Sequence, residues 1–530
     1  MKLSRTALSL AVLMAVAGSA AAANATSEQA KNRALTNIMA SPSAVRAHAD
    51  DRFNAADTIV DANGDENVRF TRTFAGMDVI GGDFVVHSRG GAIRSVSQTL
   101  DTSFRPGTRP SLSRDAAIEL AGADFGTGFQ GMPTARLVVF ALNTRPTLAW
   151  QVVFAGQKRN GDPTEMNYFV NASTGRVMDK WDMVHTAKPG TGGSGGGSPA
   201  IGTGNTLMYG SVSLNTALSG GTYNMTDTTR GGGAVYDANN AAYSTAARRA
   251  VLFTDADNTW GTGTLASRQT VAADAHFGVS MTFDYYKLVH GRNGIFNDGK
   301  GVKSYVHVGN SWVNAAWYAN AMYYGDGGGS YLPLTALDIA GHEMSHGVNQ
   351  ATAGLVYSND SGGLNEANSD IMGTMVEYYA NNSNDPGDYK IGEEIYTNGT
   401  SALRYMYDPN SDGNYSYDCY PAGGLGGVDP HYSSGPANHF FYLLAEGTGS
   451  LSKTCAPGDS KNATGTGSLA GIGRAAAAAI WFRGHTVYMT SGTTYPGARV
   501  ATLNAARDIY GIGSAQYNAV AAAWSAINVN

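Results

Sequence analysis

Charge is scarce in this sequence. Only 15% of the 530 residues are charged, and the formal net charge is −6. No run of basic residues follows the N-terminus, which argues against nucleic acid as a partner. No segment beyond the N-terminus is apolar for long enough to cross a membrane. A polar, weakly charged composition is typical of exported proteins. A chain of this length is too long to fold around a single hydrophobic core, so we expect more than one domain.

The N-terminus has the layout of a secretory signal peptide. Lys2 and Arg5 give it a basic start, residues 7–16 are apolar, and small residues continue to Ala25. The apolar part is too short for a stable membrane span. We therefore expect residues 1–25 to be removed on export, with cleavage after Ala23 or Ala25, and the protein to be secreted.

Cysteine is nearly absent, since the chain has only Cys419 and Cys455. In the oxidising compartment that a signal peptide implies, we expect these two residues to form a disulfide bond. The alternative is a pair of buried thiols.

Residues 342–346 read His-Glu-Met-Ser-His, and they constrain the chemistry more than any other segment. On a helix, His342 and His346 share one face and can bind one metal ion. Glu343 then lies beside the metal, where a carboxylate can take a proton from water. The surrounding residues 337–348 are mostly apolar and lack proline, as a buried helix requires. The alternative is a helix with two core histidines, so independent evidence is needed.

That evidence lies downstream. Catalytic zinc usually has three protein ligands and keeps a fourth position open. Asp360 is the next carboxylate, but Glu366 is better placed, because it follows a glycine-rich turn in a segment compatible with a helix. Asp370 lies four residues later, on the same face. Glu366 can complete a set of two histidines and one glutamate, and Asp370 can accept the second ring N–H of a ligating histidine.

These motifs resemble those of the thermolysin family of secreted zinc endopeptidases. The resemblance includes Val-Asn-Ala-Ala-Trp at 313–317, Ala-Gly-Leu-Val-Tyr at 353–357 and the segment 429–438, and it extends from about residue 203 to the C-terminus. It implies an α+β fold of two lobes, a β-rich lobe at 201–340 and a mainly helical lobe at 341–530. The active site would lie in the cleft between them.

The resemblance also implies catalytic roles. Glu343 would act as general base and return the proton to the leaving amine. Tyr357 and a protonated His431 would stabilise the charge that develops on the carbonyl oxygen. Asp429 would orient His431. Some family members carry this aspartate at a position that is Gly426 here.

Substrate binding is implied in the same way. Asn314 and Ala315 would hold the substrate backbone as an added strand, and Arg404 would contact the carbonyl beyond the cut bond. Four apolar residues would surround the side chain just after the cut: Leu334, Ile339, Ile391 and Leu403. Such a pocket favours Leu, Phe, Ile or Val, and the preference should be broad because methylene groups discriminate weakly.

Structural calcium is the second ion that the resemblance implies, with one or more ions bound. The residues expected to form the main site are Asp338, Glu377, Asp388 and Glu393. Lys390 stands where some relatives have a glutamate, which argues against two ions there. A second candidate is a surface loop with Asp255, Asp257 and Thr259, where an ordinary solvated loop is an equal alternative.

The region before residue 186 has no metal motif. Residues 69–87 alternate like strands around a glycine turn and resemble the family's N-terminal propeptide module, predicted here at 26–110. Residues 148–154 and 168–177 resemble an inhibitory (PepSY-like) domain, predicted at 111–185. The Gly/Ser-rich segment 186–200 is typical of a cleavable linker. We expect an α+β propeptide that acts as intramolecular chaperone and inhibitor; a permanent binding domain is the alternative.

The leading hypothesis is a secreted, monomeric zinc endopeptidase that is made as a zymogen and acts on proteins and peptides. One alternative is a zinc aminopeptidase, but it would need an acidic motif for the substrate N-terminus, and none accompanies residues 313–317. The other alternative is a secreted binding protein with an inactive metal site. The presence of Glu343 with all three ligand candidates argues against it.

Overall fold

The computed structural model describes residues 26–126, 128–158, 162–184 and 197–530. The predicted signal peptide and most of the predicted linker lie outside the described residues. No described helix is long and apolar enough to span a membrane.

The α-helices of the described residues are concentrated in the C-terminal part of the chain, and two of them lie before residue 185. They are α1 (26–40), α2 (Arg114–Phe125), α3 (Tyr243–Arg249), α4 (Arg268–Asp284), α5 (Leu337–Ala351), α6 (Asn359–Ala380), α7 (Pro430–Ser433), α8 (Gly435–Ala445), α9 (Arg474–Arg483), α10 (Tyr495–Tyr510) and α11 (Ala515–Ala526). A π-helical turn, Gly484–Tyr488, continues α9.

Strands dominate the first part. Those of residues 26–184 are β1 (Asp51–Val60), β2 (Asp65–Phe74), β3 (Met77–Ile80), β4 (Phe84–Arg89), β5 (Ala92–Gln98), β6 (Thr134–Phe140), β7 (Thr147–Gln157), β8 (Pro163–Asn171) and β9 (Val177–Asp182). Those that follow are β10 (Ser198–Asn205), β11 (Ser211–Ser219), β12 (Thr222–Asn224), β13 (Thr226–Asp227), β14 (Gly233–Asp237), β15 (Val251–Leu252), β16 (Thr254–Asp255), β17 (Thr259–Trp260), β18 (Lys303–Val308), β19 (Ala315–Tyr318), β20 (Ala321–Gly325), β21 (Lys390–Ile391) and β22 (Arg404–Tyr405).

The N-terminal region, residues 26–184, forms one continuous sheet in the order β5-β4-β2-β3-β6-β7-β8-β9, with β1 on β2. Its two halves meet at β3, which pairs antiparallel with β2 and parallel with β6. Helix α1 covers the first half with Ala30, Ala34 and Ile38, spaced four residues apart on one face. Helix α2 covers the second half with Ala117 and Ala121. Each helix therefore covers an apolar cluster of its own on the shared sheet.

The C-terminal region, residues 197–530, begins with two β-sheets. The second has the order β13-β14-β18-β20-β19, with β15 on β14, so β19 lies at the end of the sheet. Because β19 pairs with β20 on one side, its other edge can accept an added strand. The helices then follow, which confirms the predicted α+β class with a β-rich and a helical part. The predicted boundary between residues 340 and 341 falls inside α5.

Close packing of α5 and α6 determines the geometry of the centre. A Cβ atom added to Gly341 would lie 2.8 Å from the Gly373 Cα, and one added to Gly373 would collide with the Asp338 carbonyl oxygen. These two glycines therefore allow the helix backbones to approach closely, which brings the polar faces of α5 and α6 into contact.

The predicted disulfide bond joins Cys419 and Cys455, whose Cα atoms lie 5.9 Å apart. It closes a loop with a sequence separation of 36 residues. Such a link restricts the unfolded chain and thereby stabilises the folded state.

We expect the double variant Cys419→Ser/Cys455→Ser to lose about 2–4 kcal/mol of unfolding free energy, since chain-entropy arguments give that range for a loop of this length. Urea denaturation followed by circular dichroism measures it. Wild-type protein in a reductant should approach the variant's midpoint; equal midpoints for variant and oxidised wild type would contradict the prediction.

Candidate active site

The three predicted metal ligands meet in the buried interface of α5 and α6. The His342 Nε2 lies 3.0 Å from the His346 Nε2. The Glu366 carboxylate lies 3.5 Å from the first of these nitrogens and 3.3 Å from the second. All three side chains are buried or nearly so. The spacing i, i+4 on α5 and the close packing of α6 thus produce the cluster that the sequence predicts.

A tetrahedral zinc ion fits this cluster. With metal–ligand bonds of about 2.0–2.2 Å, tetrahedral ligand atoms lie roughly 3.3–3.6 Å apart, close to the distances found. The Glu366 Oε2 is buried and has no hydrogen-bond partner among the described residues. A buried carboxylate oxygen without a partner is costly, and a cation would satisfy it. Burial alone would raise the pKa of Glu366, but the charges of nearby histidines outweigh it and lower the pKa well below its usual range.

Both histidine rings are held in orientation by hydrogen bonds to their Nδ1 atoms, which face away from the metal-ligand cluster. The His342 Nδ1 lies 2.8 Å from the Asp370 Oδ1, as the sequence predicts. Asp370 also accepts hydrogen bonds from Arg404 and from Asn438. Arg404 in particular offsets the burial of Asp370 and lowers the pKa of this carboxyl. Such partners fix which ring nitrogen faces the metal.

Asn365 holds the second histidine, and the sequence analysis missed it. Its Oδ1 lies 2.8 Å from the His346 Nδ1, while its Nδ2 donates to the Leu355 carbonyl. Asn365 directly precedes the ligand Glu366, so its position beside an identified ligand was the available signal.

Glu343 lies beside the cluster and does not belong to it. Its Oε2 accepts a hydrogen bond of 2.8 Å from the backbone N–H of Trp317 in β19. The carboxylate is therefore fixed between the helix with the histidines and the edge strand. A group at this place can act as a general base toward water.

Tyr357, His431 and Asp429 lie next to the metal-ligand cluster, on the side of Glu366. The Tyr357 hydroxyl donates to the Glu366 Oε1 at 2.6 Å and lies 3.3 Å from the His431 Nε2. The His431 Nδ1 lies 2.8 Å from the Asp429 Oδ1. Burial works against protonation of His431, but the charges of Glu366 and Asp429 outweigh it and raise the pKa. The charged imidazole is therefore favoured here.

An apolar cavity of about 290 Å³ opens beside Glu343 and His342. It brings together the sequence-predicted substrate residues, namely Asn314, Ala315, Leu334, Ile339, Ile391, Leu403 and Arg404. Tyr331, Ile395 and Val313 also line the cavity, and the sequence did not predict them as lining residues. Tyr331 and Ile395 belong to loops, and the hydrogen bond from the Leu332 N–H to the Ile395 carbonyl holds these loops together.

A second carboxylate cluster lies behind the helices. Oxygen atoms of Glu377, Asp385 and Glu393 lie within 4.8 Å of one another. Burial, reinforced by neighbouring carboxylates, raises the pKa of Asp385 and of Glu393 to about 8 and that of Asp338 to about 7. The structure thus adds Asp385, which the sequence analysis missed. Asp388 forms an ion pair of 2.8 Å with Lys390.

The carboxylates of the loop at 255–259 cap a turn. Asp255 accepts from the backbone N–H groups of Asp257 and Asn258, and Asp257 accepts from that of Thr259. These hydrogen bonds account for both aspartates without an ion, so the predicted calcium loop stays a prediction.

Family models match almost the whole C-terminal region. The catalytic domain of thermolysin metallopeptidases matches residues 201–350, and their alpha-helical domain matches residues 353–529. The fungalysin/thermolysin propeptide motif matches residues 51–100. Thermolysin of Alicyclobacillus acidocaldarius subsp. acidocaldarius is 34% identical over 507 residues, which cover 91% of this chain and 86% of that protein. The chain belongs to the thermolysin family of metallopeptidases.

Two further relatives support the assignment to this family. Bacillolysin of Bacillus cereus is 34% identical over 519 residues, covering 91% of this chain and 86% of that protein. The transglutaminase-activating metalloprotease of Streptomyces mobaraensis is 44% identical over 490 residues, covering 91% of this chain. The chain spans about three fifths (61%) of that relative's length. These matches confirm the family predicted from the motifs, including a propeptide and a zinc site.

We expect Asp370→Asn to weaken zinc binding about 10- to 100-fold, because groups that orient metal-binding histidines have effects of this size. Competition with a chelator of known affinity measures it. The control is Asp298→Asn, since Asp298 forms a surface ion pair with Lys300 that contributes little. Equal zinc affinities of the two variants would contradict a positioning role for Asp370.

Proposed function

We propose that the chain is the precursor of a secreted zinc endopeptidase that cuts peptide bonds on the N-terminal side of an apolar residue. The observation that carries the proposal is the buried His342, His346 and Glu366 centre with Glu343 fixed beside it. A bound zinc ion makes water more acidic and polarises a carbonyl group.

Glu343 acts as the general base and then as the general acid. It takes the proton from the attacking water and gives it to the leaving amine. The backbone N–H of Trp317 orients this carboxylate. The side chain is 6% exposed and lines the cavity that would receive substrate.

Tyr357 and protonated His431 donate hydrogen bonds to the carbonyl oxygen as negative charge develops on it. Donors already in place contribute most at that stage. Asp429 holds the His431 ring, and although burial opposes protonation, the charges of Glu366 and Asp429 raise the pKa of His431 and favour its protonated form. Asp429 is two residues before the histidine, and it takes the role that some relatives give to the position of Gly426.

Substrate would bind as an added strand on the open edge of β19, with Asn314 and Ala315 at its backbone. The side chain after the cut would enter the apolar cavity, whose 290 Å³ suits Leu, Ile, Val or Phe. Arg404 lines this cavity while it is bound to Asp370, so it can contact a substrate carbonyl and position His342 together.

The N-terminal region would be the inhibitor and folding assistant of the enzyme. Trp181 of β9 packs in one apolar cluster with Tyr357, and the Asp179 carboxylate accepts a hydrogen bond of 2.9 Å from Ser358. These contacts cover the residue that would stabilise the oxyanion. A propeptide bound there keeps substrate out until it is removed.

Calcium would bind at Glu377, Asp385 and Glu393, supported by Asp338. Hard cations prefer such oxygen ligands. The Asp385 Oδ2 and the Glu393 Oε2 are buried without hydrogen-bond partners among the described residues. A divalent cation would offset the burial and the mutual repulsion that raise the pKa of these groups.

We expect Glu343→Gln to lower cleavage of an internally quenched peptide, blocked at both ends, by at least about a thousandfold, since the variant lacks its general base. Zinc content and the thermal midpoint should stay near those of the wild type. Chelation should abolish wild-type cleavage. Cleavage only after the N-terminus is unblocked would indicate an aminopeptidase, and undiminished cleavage by the variant would contradict the assigned role.

We expect calcium to raise the thermal midpoint of the mature enzyme and Glu377→Gln to lose most of this rise. A ligand at about 100 times its dissociation constant stabilises by about 2.7 kcal/mol. Differential scanning fluorimetry with calcium and with a calcium chelator measures both midpoints. Asp298→Asn again serves as control, and an undiminished rise in Glu377→Gln would rule out this site.

A further inference from the structure

The N-terminal region contacts the edge strand β19 and the loop that precedes it. Along the edge strand, residues 313–315 line the apolar cavity, and the backbone N–H of Trp317 contacts Glu343. Tyr318 is the next residue of β19 and does not line the cavity. If the cavity receives the side chain after the cut, Tyr318 lies beside substrate residues before the cut.

A carboxylate of the N-terminal region occupies this position. The Tyr318 hydroxyl donates a hydrogen bond of 2.9 Å to the Glu165 Oε2 of β8. Two backbone contacts fix Glu165: its N–H donates to the Asp182 carboxylate, and its carbonyl accepts from the Met183 N–H. The paired strands β8 and β9 therefore hold the Glu165 carboxylate in a fixed position against Tyr318, as an inhibitor holds the side chain that enters an active site.

The surface around Tyr318 offers hydrogen-bond donors that suit a carboxylate. Tyr318 belongs to an aromatic cluster with Tyr243, Trp312 and Tyr323, in which the Tyr243 ring lies 4.6–5.7 Å from the other three. The Trp312 indole N–H donates to Asp162 at 2.9 Å, so a second carboxylate of the same region contacts this cluster. The packed rings hold the Tyr318 hydroxyl and the Trp312 N–H in place as donors toward the N-terminal region.

We propose that the Tyr318 hydroxyl is a specificity-determining donor that selects an acidic side chain on the N-terminal side of the cut, and that Glu165 takes the place of this side chain in the precursor. The inference rests on the proposed endopeptidase function and adds a substrate class to it. Hydrogen bonds to a carboxylate are stronger than those to a neutral group. Once the propeptide has left, the Tyr318 hydroxyl faces water, and an acidic substrate side chain restores the lost contact.

The test uses the mature, processed enzyme and doubly blocked quenched peptides with Leu after the cut. Glu, Gln or Lys is placed in turn at each of the three positions before the cut. At one position we expect kcat/KM to be about tenfold higher for Glu than for Gln, as a charge-assisted hydrogen bond predicts. In Tyr318→Phe that ratio should fall to about one.

Tyr323→Phe is the matched control, because it removes a hydroxyl from the same cluster without touching Glu165, and its Glu-to-Gln ratio should equal that of the wild type. A wild-type ratio near one at all three positions would overturn the inference. So would a preference for Glu that Tyr318→Phe retains. Cleavage of every peptide without such a preference leaves the endopeptidase function standing, whereas cleavage of none overturns both proposals.

Discussion

The close contact of α5 and α6 concentrates negative charge in the interior, and the rest of the structure depends on it. Glu366 and Asp370 are fully buried, and Glu343 is nearly so. Buried carboxylates without cationic partners destabilise a fold strongly. Arg404 balances Asp370 through two hydrogen bonds, which leaves Glu366 facing two histidines. The fold therefore creates a place for one more cation. The buried charge of Glu366 would both bind the catalytic metal and be stabilised by that metal in the interior of the fold.

Local periodicity explains what the sequence could predict of this centre. His342 and His346 share a helix face at any tertiary arrangement, and so do Glu366 and Asp370. The order of the family motifs then linked the two helices. Asn365 and Asp385 were not predicted from the sequence, because their roles depend on which loop contacts which helix in the folded protein. Asp385 follows the end of α6, and only the folding back of its loop brings it to Glu377.

Long-range pairing explains what the sequence could not predict of the N-terminal region. The local patterns indicated strands at 69–87, 148–154 and 168–177, and the structure has β2 to β4 in the first segment, β7 in the second, and the end of β8 and the start of β9 in the third. The joining of both halves into one sheet depends on Val79 pairing with Val139, 60 residues later. No local pattern encodes such a contact, since two short apolar segments can pair with many others.

The attachment of the N-terminal region also involves Ser491, which connects it to the active site. The Asp83 carboxylate accepts hydrogen bonds from the Ser491 backbone N–H and hydroxyl, and the Ser491 carbonyl accepts from the Val356 N–H. Val356 directly precedes Tyr357. The N-terminal region thus holds the Tyr357 loop from this side and, through Asp179 and Ser358, from the other.

Polar contacts of this kind suit a temporary partner. Arg69 donates to the Thr486 and Met489 carbonyls at the end of the π-helical turn, groups that water can satisfy once the partner leaves. Within one chain, the high effective concentration keeps such contacts formed. After a cut between the regions, the same contacts must compete with dilution and with substrate. In the proposed precursor, the covalent connection would therefore keep the N-terminal region on the loop that carries Tyr357, and cleavage would free this loop for substrate.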